Sequence, residues 1–181
     1  MNLILAALML LRGALLPNVE LTCSIVRLDG STWQSDTLET RKMVAAAVLV
    51  VRVRATGPDS APVVLSGQRF PGVGFDVLEV LRSDSLDATP HHLAVTGRLT
   101  DYDDFNRTPV PYPYVRPDGL RGSCFADTYR VGAEYLLLMA RARGALTPYW
   151  APLLPTNEQL HGPGDPWLVW VRARLREKGR E

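Results

Sequence analysis

The chain has 181 residues, a length that suits one domain, and 46% of them are hydrophobic and 22% charged, as in an ordinary globular protein. A hydrophobic fraction this high excludes an intrinsically disordered segment. The 20 basic and 19 acidic side chains leave a formal charge of +1, so the chain as a whole has no electrostatic attraction to nucleic acid or to an anionic membrane. The 14 glycines and 14 prolines favour short strands and turns over a helical bundle.

The chain begins with an apolar segment. Residues 3–11 are nine consecutive apolar residues, a length typical of a signal-peptide core and far below the roughly 20 residues that span a bilayer as a helix. We therefore predict a signal-peptide-like leader over residues 1–22, no transmembrane span, and an extracytoplasmic location (secreted, periplasmic or cell-surface) for a single domain over residues 23–181. The alternative is a buried N-terminal helix in a cytoplasmic protein.

Only two cysteines are present, Cys23 just after the predicted leader and Cys124 far along the chain. In an oxidising compartment this number suggests one disulfide. The alternative is two unrelated buried thiols. A zinc site of the usual kind is not expected, because the chain has no CxxC motif and only three histidines.

Five segments have the apolar, β-branched or alternating pattern of β-strands. They are residues 44–53, 75–82, 92–99, 135–140 and 145–149. A polar, proline-rich loop over residues 101–122 separates the third segment from the fourth. Loops of this length are uncommon inside a compact domain, and they are usually functional or held by other parts of the structure.

Three motifs predict helix starts. Asp36, with Glu39 three residues later, predicts a short helix before the first strand. The stretch 156–159 fits a capping box with threonine at the N-cap. Asp165 followed by Pro166 predicts the C-terminal helix. Apolar residues at three- and four-residue spacing give this last helix a core-facing side: Trp167, Leu168, Val171 and Leu175.

The order of these elements is that of a small Greek-key barrel of the OB type. With this order, the sequence resembles the netrin-like domain of the tissue inhibitors of metalloproteinases, as a bacterial-type relative. The resemblance is carried by residues 44–56, by FDVLEVLRSD (75–84) and above all by GSCFADTYRVGAEYLLLMARARGALTPY (122–149). In the last stretch a cysteine precedes a glycine turn and a YLL strand.

The resemblance implies a fold and a disulfide. The fold is mainly β, a five-stranded OB-type Greek-key barrel with a short N-terminal helix and a C-terminal helix. The family pairs its N-terminal cysteine with the cysteine before the YLL strand, which implies a Cys23–Cys124 disulfide here.

The long loop contains a candidate interaction site. Its members are four oxygen-bearing side chains and two tyrosines: Asp101, Asp103, Asp104, Asn106, Tyr112 and Tyr114. Aromatic residues beside prolines suit a protein contact surface, and the alternative is that they cap the ends of the barrel. The oxygen-bearing residues could bind calcium, but their spacing is not that of an EF-hand. We expect the loop to be ordered by its own hydrogen bonds without an obligatory ion.

No motif in the sequence positions a catalytic set. His91 and His92 are adjacent, so in a strand they point to opposite faces, and no G-x-S-x-G motif is present. We expect a non-enzymatic, exported binding or interaction module of netrin-like type, without metal or cofactor, whose partner is a protein and not nucleic acid. The alternatives are a metalloprotease inhibitor like the tissue inhibitors of metalloproteinases, and an envelope enzyme with an unrecognised site.

Overall fold

A computed structural model describes residues 37–65, 67–84, 90–121, 123–142, 145–148 and 151–178. The predicted leader (residues 1–22), Cys23 and the predicted N-cap Asp36 lie outside the described residues. The elements in chain order are helix α1 (Thr37–Ala46), strands β1 (Leu49–Pro58), β2 (Val63–Leu65), β3 (Gln68–Phe70), β4 (Gly72–Ser83), β5 (His92–Thr96) and β6 (Arg98–Thr100), a 3₁₀ turn (Pro117–Leu120), strands β7 (Thr128–Arg130), β8 (Glu134–Ala142), β9 (Ala145–Pro148) and β10 (Asn157–Leu160), and helix α2 (Pro166–Lys178).

Five antiparallel strands form a nearly closed barrel. They lie in the order β10, β8, β1, β4, β5, and β9 pairs with β8 as an additional hairpin strand. Strand β6 follows β5 and pairs with β7 in parallel, while β2 and β3 form a separate hairpin. The predicted mainly β fold, with one short helix near the N-terminus and one at the C-terminus, is confirmed and is consistent with an OB-type barrel.

Gly97 marks the break between β5 and β6, where β7 comes close. A Cβ atom at this position would lie 2.6 Å from the carbonyl oxygen of Asp127 and 2.6 Å from the ring of Tyr129. No side chain fits in this space. Glycine therefore allows β6 to approach β7 and extend the barrel wall beyond β5.

The central strands are buried on both faces. Val50 of β1 packs with α1 and α2 around Trp167, whereas Val51, the next residue, packs inside the barrel with Phe75 and Tyr135. The same alternation divides the leucines of β8 between the two clusters. Burial on both faces explains why these strands are nearly continuous apolar runs in the sequence.

Two predicted elements differ from the structure. The predicted strand over residues 44–53 begins only at Leu49, because residues 44–46 complete α1. Alanine is the strongest helix former, and Met43 and Val44 pack in the cluster that contains α2, which favours helix there. The predicted fifth strand over residues 145–149 corresponds to β9, which is only a hairpin partner of β8.

The capping-box prediction at residues 156–159 is wrong, because this segment is β10, the fifth strand of the barrel. The motif is local, and it is outweighed by a backbone ladder with β8 and by distant partners for its polar side chains. The sequence His161-Gly162-Pro163-Gly164 follows at once. These glycine and proline residues would end a helix that began at residue 156 before it reached a stable length.

The predicted C-terminal helix and its core-facing residues are confirmed. Pro166 opens α2, and Trp167, Leu168 and Val171 are fully buried, with Leu175 packed beside them. The Asp165 carboxylate accepts the amide N–H of Trp167 at 2.8 Å and that of His161 at 2.9 Å. Neither helix in the described part of the chain is long and apolar enough to cross a membrane.

We expect Asp165→Ala to lower the free energy of unfolding by about 1–2 kcal/mol, because the N-cap bond and the bond to the preceding loop are both lost. Urea denaturation at pH 7 measures the change. Asp101→Ala is the matched control, since Asp101 is exposed, and should change stability by less than about 0.5 kcal/mol. Equal effects of the two variants would contradict the capping role.

Candidate functional site

The long loop crosses the barrel between β7 and β10, where Arg116 joins the two strands. No backbone pairing connects β7 to β10 among the described strands. The Arg116 guanidinium donates to the carbonyl oxygen of Thr128 in β7 at 2.7 Å and to that of Asn157 in β10 at 3.0 Å. Its third nitrogen forms an ion pair with Asp104 at 2.9 Å. The Arg116 side chain thus connects β7 to β10 at the open side of the barrel, where no backbone hydrogen bonds join the two strands.

Arg116 is 0% exposed and lies between aromatic rings. Its guanidinium carbon is 5.4 Å from the ring centroids of both Tyr129 and Tyr135, within the range of cation–π attraction. Burial raises the pKa of Tyr129 to about 12, so its hydroxyl stays protonated. That hydroxyl accepts a hydrogen bond from the Asn157 side chain at 2.7 Å, which adds a second connection between β7 and β10.

Glu158 of β10 is fully buried beside this arginine. Its carboxylate accepts the backbone N–H of Arg116 at 3.0 Å and the side-chain amide of Asn106 at 3.0 Å. Burial raises the pKa of Glu158 to about 7, although the charge of Arg116 acts in the opposite direction. Both limbs of the loop therefore attach to one carboxyl group. We call Asp104, Asn106, Arg116, Asn157 and Glu158 the Arg116 cluster.

The carboxylates of Asp104 and Asp118 also hold the loop, by accepting backbone N–H groups. Asp104 accepts the N–H of Asp118 at 3.0 Å, and Asp118 accepts the N–H groups of Asp127 at 2.9 Å and Thr128 at 3.1 Å. The amide of Asp104 in turn donates to the side chain of Gln159 at 2.7 Å. The loop is thus hydrogen-bonded to β7 and β10 along much of its length.

The structure separates the predicted interaction-loop residues into exposed and buried ones. Asp101 is exposed, and Asp103 is exposed with a 3.1 Å contact to the Arg130 guanidinium. Asp104 is buried in the Arg116 cluster, so it cannot belong to an exposed contact surface. The role of the loop in binding stays a prediction.

The two tyrosines of the loop differ from the expected exposed surface. Tyr112 is buried and stacks on Trp167 at 5.0 Å, so the capping alternative describes it better. Tyr114 is partly buried, and its carbonyl oxygen accepts the Asn106 side chain at 2.7 Å. The neighbouring prolines Pro111 and Pro113 favour an exposed loop in the sequence, whereas the stacking of Tyr112 depends on a helix far away along the chain.

Three of the four oxygen-bearing side chains of the loop, those of Asp103, Asp104 and Asn106, are engaged with protein groups. The oxygen of the Asn106 side chain accepts the N–H and the hydroxyl of Thr108 at 3.1 and 2.8 Å, which is the local Asx pattern expected from the sequence. Within the described ranges no three histidine, cysteine, aspartate or glutamate side chains are grouped as metal ligands.

The predicted disulfide involves a residue that the structure does not describe. Cys124 is partly buried and is not a free thiol. Cys23 lies outside the described residues, so the Cys23–Cys124 pairing stays a prediction. Non-reducing peptide mapping of the protein tests it.

Sequence reasoning missed Arg116, Asn157 and Glu158. Their importance comes from partners 12 to 52 positions away along the chain, which no local pattern reveals. The one available signal was the loop itself, because a polar connection of this length inside a barrel needs internal hydrogen-bond partners.

Large apolar side chains remain exposed where β6, β7 and the 3₁₀ turn meet. They are Leu99 (41% exposed), Tyr102 (43%), Leu120 (41%) and Val131 (51%). The exposed ion pair of Arg98 with Asp127, at 2.9 Å, lies in the same part of the fold. We call these four apolar residues the β6–β7 surface. Such side chains on a held backbone are suited to protein contact.

A second candidate is a cleft of about 270 Å³ between β4 and α2. Its lining residues are Glu79, Val80, Leu81, Arg172, Leu175 and Arg176. Glu79 forms ion pairs with Arg172 at 2.5 Å and with Arg52 at 3.4 Å. These ion pairs connect α2 to the barrel, and we therefore assign the cleft a structural role.

No protein-family model matches this sequence, and no curated protein matches it significantly.

Proposed function

We propose that this protein is an exported, non-enzymatic binding module of netrin-like type whose partner is a protein. The observation that carries the proposal is the combination of a rigidly held loop and the exposed apolar side chains of the β6–β7 surface. The polar atoms of the Arg116 cluster bond to one another and to groups of the loop, β7 and β10, so we assign the cluster the role of holding the loop. A preorganised backbone lowers the entropy cost of binding.

The proposal assigns recognition to apolar contact at the β6–β7 surface. Tyrosine is among the residues that contribute most to binding energy when a partner buries it. For the alternative of a metalloprotease inhibitor, the described part of the chain adds no observation in its favour.

A capture experiment with matched variants tests the proposed function. The immobilised protein is incubated with the native extracytoplasmic fraction, and bound proteins are identified by mass spectrometry. We expect the double variant Tyr102→Ser/Leu120→Ser to capture at least about tenfold less of the specific partner, since each lost apolar contact is worth more than about 1 kcal/mol.

The control is the double variant Val64→Ser/Val169→Ser, which changes side chains that are 51% and 52% exposed on the β2–β3 hairpin and on α2. It should capture the partner as the unchanged protein does. Equal capture by both double variants, or no specific capture by the unchanged protein, would contradict the proposal.

A further inference from the structure

The charges inside the Arg116 cluster do not balance. Asp104 and Glu158 are two buried carboxyl groups, and among the described residues Arg116 is the one buried basic side chain beside them. Arg116 forms its ion pair with Asp104, while Glu158 contacts only N–H donors, with no basic side chain within ion-pair distance in the described part of the chain. With both carboxyl groups ionised, the cluster carries one uncompensated negative charge away from water, which is costly.

Glu158 is also one of the points at which the loop attaches to β10, beside Asn157 and Gln159. Asn106 binds one carboxyl oxygen and Arg116 binds the other, so the ascending and descending limbs of the loop share this one group. We propose that Glu158 is a proton-dependent switch: in its protonated form the loop stays closed on the barrel, and loss of the proton as the pH rises loosens residues 101–121.

The direction follows from the two environments of the glutamate. In the closed loop, burial raises the pKa of Glu158 from its ordinary value of 4.5 to about 7, and it outweighs the charge of Arg116 and the hydrogen bonds from Asn106 and Arg116, which lower the pKa. When the loop opens, water reaches the carboxyl group and the pKa returns toward the ordinary value. The closed form thus binds the proton more tightly than the open form, so the stabilisation is complete at acidic pH and is lost as the pH rises through 7.

Other charged and titratable groups face Glu158 or its partners. They are Asp104, Tyr112 and Arg116 of the loop, Tyr129 of β7, Tyr135 of β8, and Asp165 before α2. Burial raises the pKa values of Tyr112 and Tyr129 to about 12, so the tyrosine hydroxyls do not titrate in the neutral range. His161 needs its own control, because its ring stacks on Phe105 of the loop at 3.8 Å.

Hydrogen exchange of the loop amides at two pH values tests the switch. After correction for the intrinsic pH dependence of exchange, we expect the opening constant of residues 101–121 to rise about tenfold from pH 6 to pH 8, as follows from the two pKa values. Glu158→Gln, which fixes a neutral side chain of the same shape, should remove this rise.

Two control variants should keep the rise. Asp101→Asn removes an exposed carboxylate of the same loop, and His161→Gln removes the neighbouring imidazole. A pH dependence that persists in Glu158→Gln, or that disappears in His161→Gln, would overturn the proposal.

A second measurement does not depend on any variant. In the unchanged protein labelled with ¹³C at the glutamate carboxyl carbons, we expect one glutamate to titrate near neutral pH, far above the others. Titration of every glutamate below about pH 5.5, close to the ordinary range, would overturn the proposal even if Glu158→Gln failed to fold.

Discussion

Replacing Arg116 with methionine is expected to lower the free energy of unfolding by about 3–5 kcal/mol, because removing one partner of a buried ion pair leaves the other charge uncompensated. Methionine fills much of the same space, so the loss is mainly electrostatic. The carbonyl oxygens of Thr128 and Asn157 also lose their donor, and the connection between β7 and β10 weakens. Urea denaturation at pH 7 measures the change.

Arg98→Met is the matched control for this variant. Arg98 forms an ion pair with Asp127, but its side chain is 70% exposed, and an exposed pair contributes less than about 1 kcal/mol. Adding Asp104→Asn to Arg116→Met should recover at least about 1 kcal/mol of the free energy of unfolding, since the uncompensated charge of Asp104 is then removed. A loss no larger for Arg116→Met than for Arg98→Met, or no recovery in the double variant, would contradict the role given to Arg116.

Trp167→Ala is expected to lower the free energy of unfolding by about 3–5 kcal/mol, the cost of removing a large buried aromatic ring and leaving a cavity. Trp167 is fully buried and stacks on Tyr112 at 5.0 Å and on Trp170 at 5.1 Å. Because Tyr112 belongs to the long loop, this variant should also increase hydrogen exchange in the loop beside it.

Val169→Ala serves as the control on the same helix. Val169 is 52% exposed, so the change should be within about 0.5 kcal/mol. Denaturation curves of the two variants are compared at the same pH. Truncation of a buried aromatic residue ordinarily costs several kcal/mol. A stability change below about 1 kcal/mol for Trp167→Ala would therefore show that the packing of α2 does not depend on Trp167 and its stacked neighbours.

Four of the five barrel strands and the C-terminal helix were predictable because their signals are local. Residues such as Val50 and Val51 lie in a β-branched run, and Asp165 with Pro166 marks the start of α2 without reference to the rest of the chain. The runs in β1 and β8 were recognisable as strands because burial on both faces leaves them continuously apolar.

The polar interior was not predictable for the opposite reason. The stretch 156–159, which contains Glu158, fits a capping box as well as a strand when only its neighbours in sequence are considered. Its position in β10 is decided by Leu136 across the ladder and by Asn106 and Arg116 of the loop. A buried arginine is tolerated only when distant partners satisfy it, and the sequence does not state which residues those partners are.

The central claim is that Arg116 and its partners hold the long loop on the barrel. Residue-resolved hydrogen exchange of the unchanged protein at pH 6 tests it most directly, at the amides of Arg116, Asp118 and Thr128, whose acceptors are buried carboxylates. We predict protection within about tenfold of the β8 amides, because at pH 6 the loop stays closed on the barrel. Exchange at the rate of an unstructured chain at these three amides, with β8 still protected, would contradict the claim.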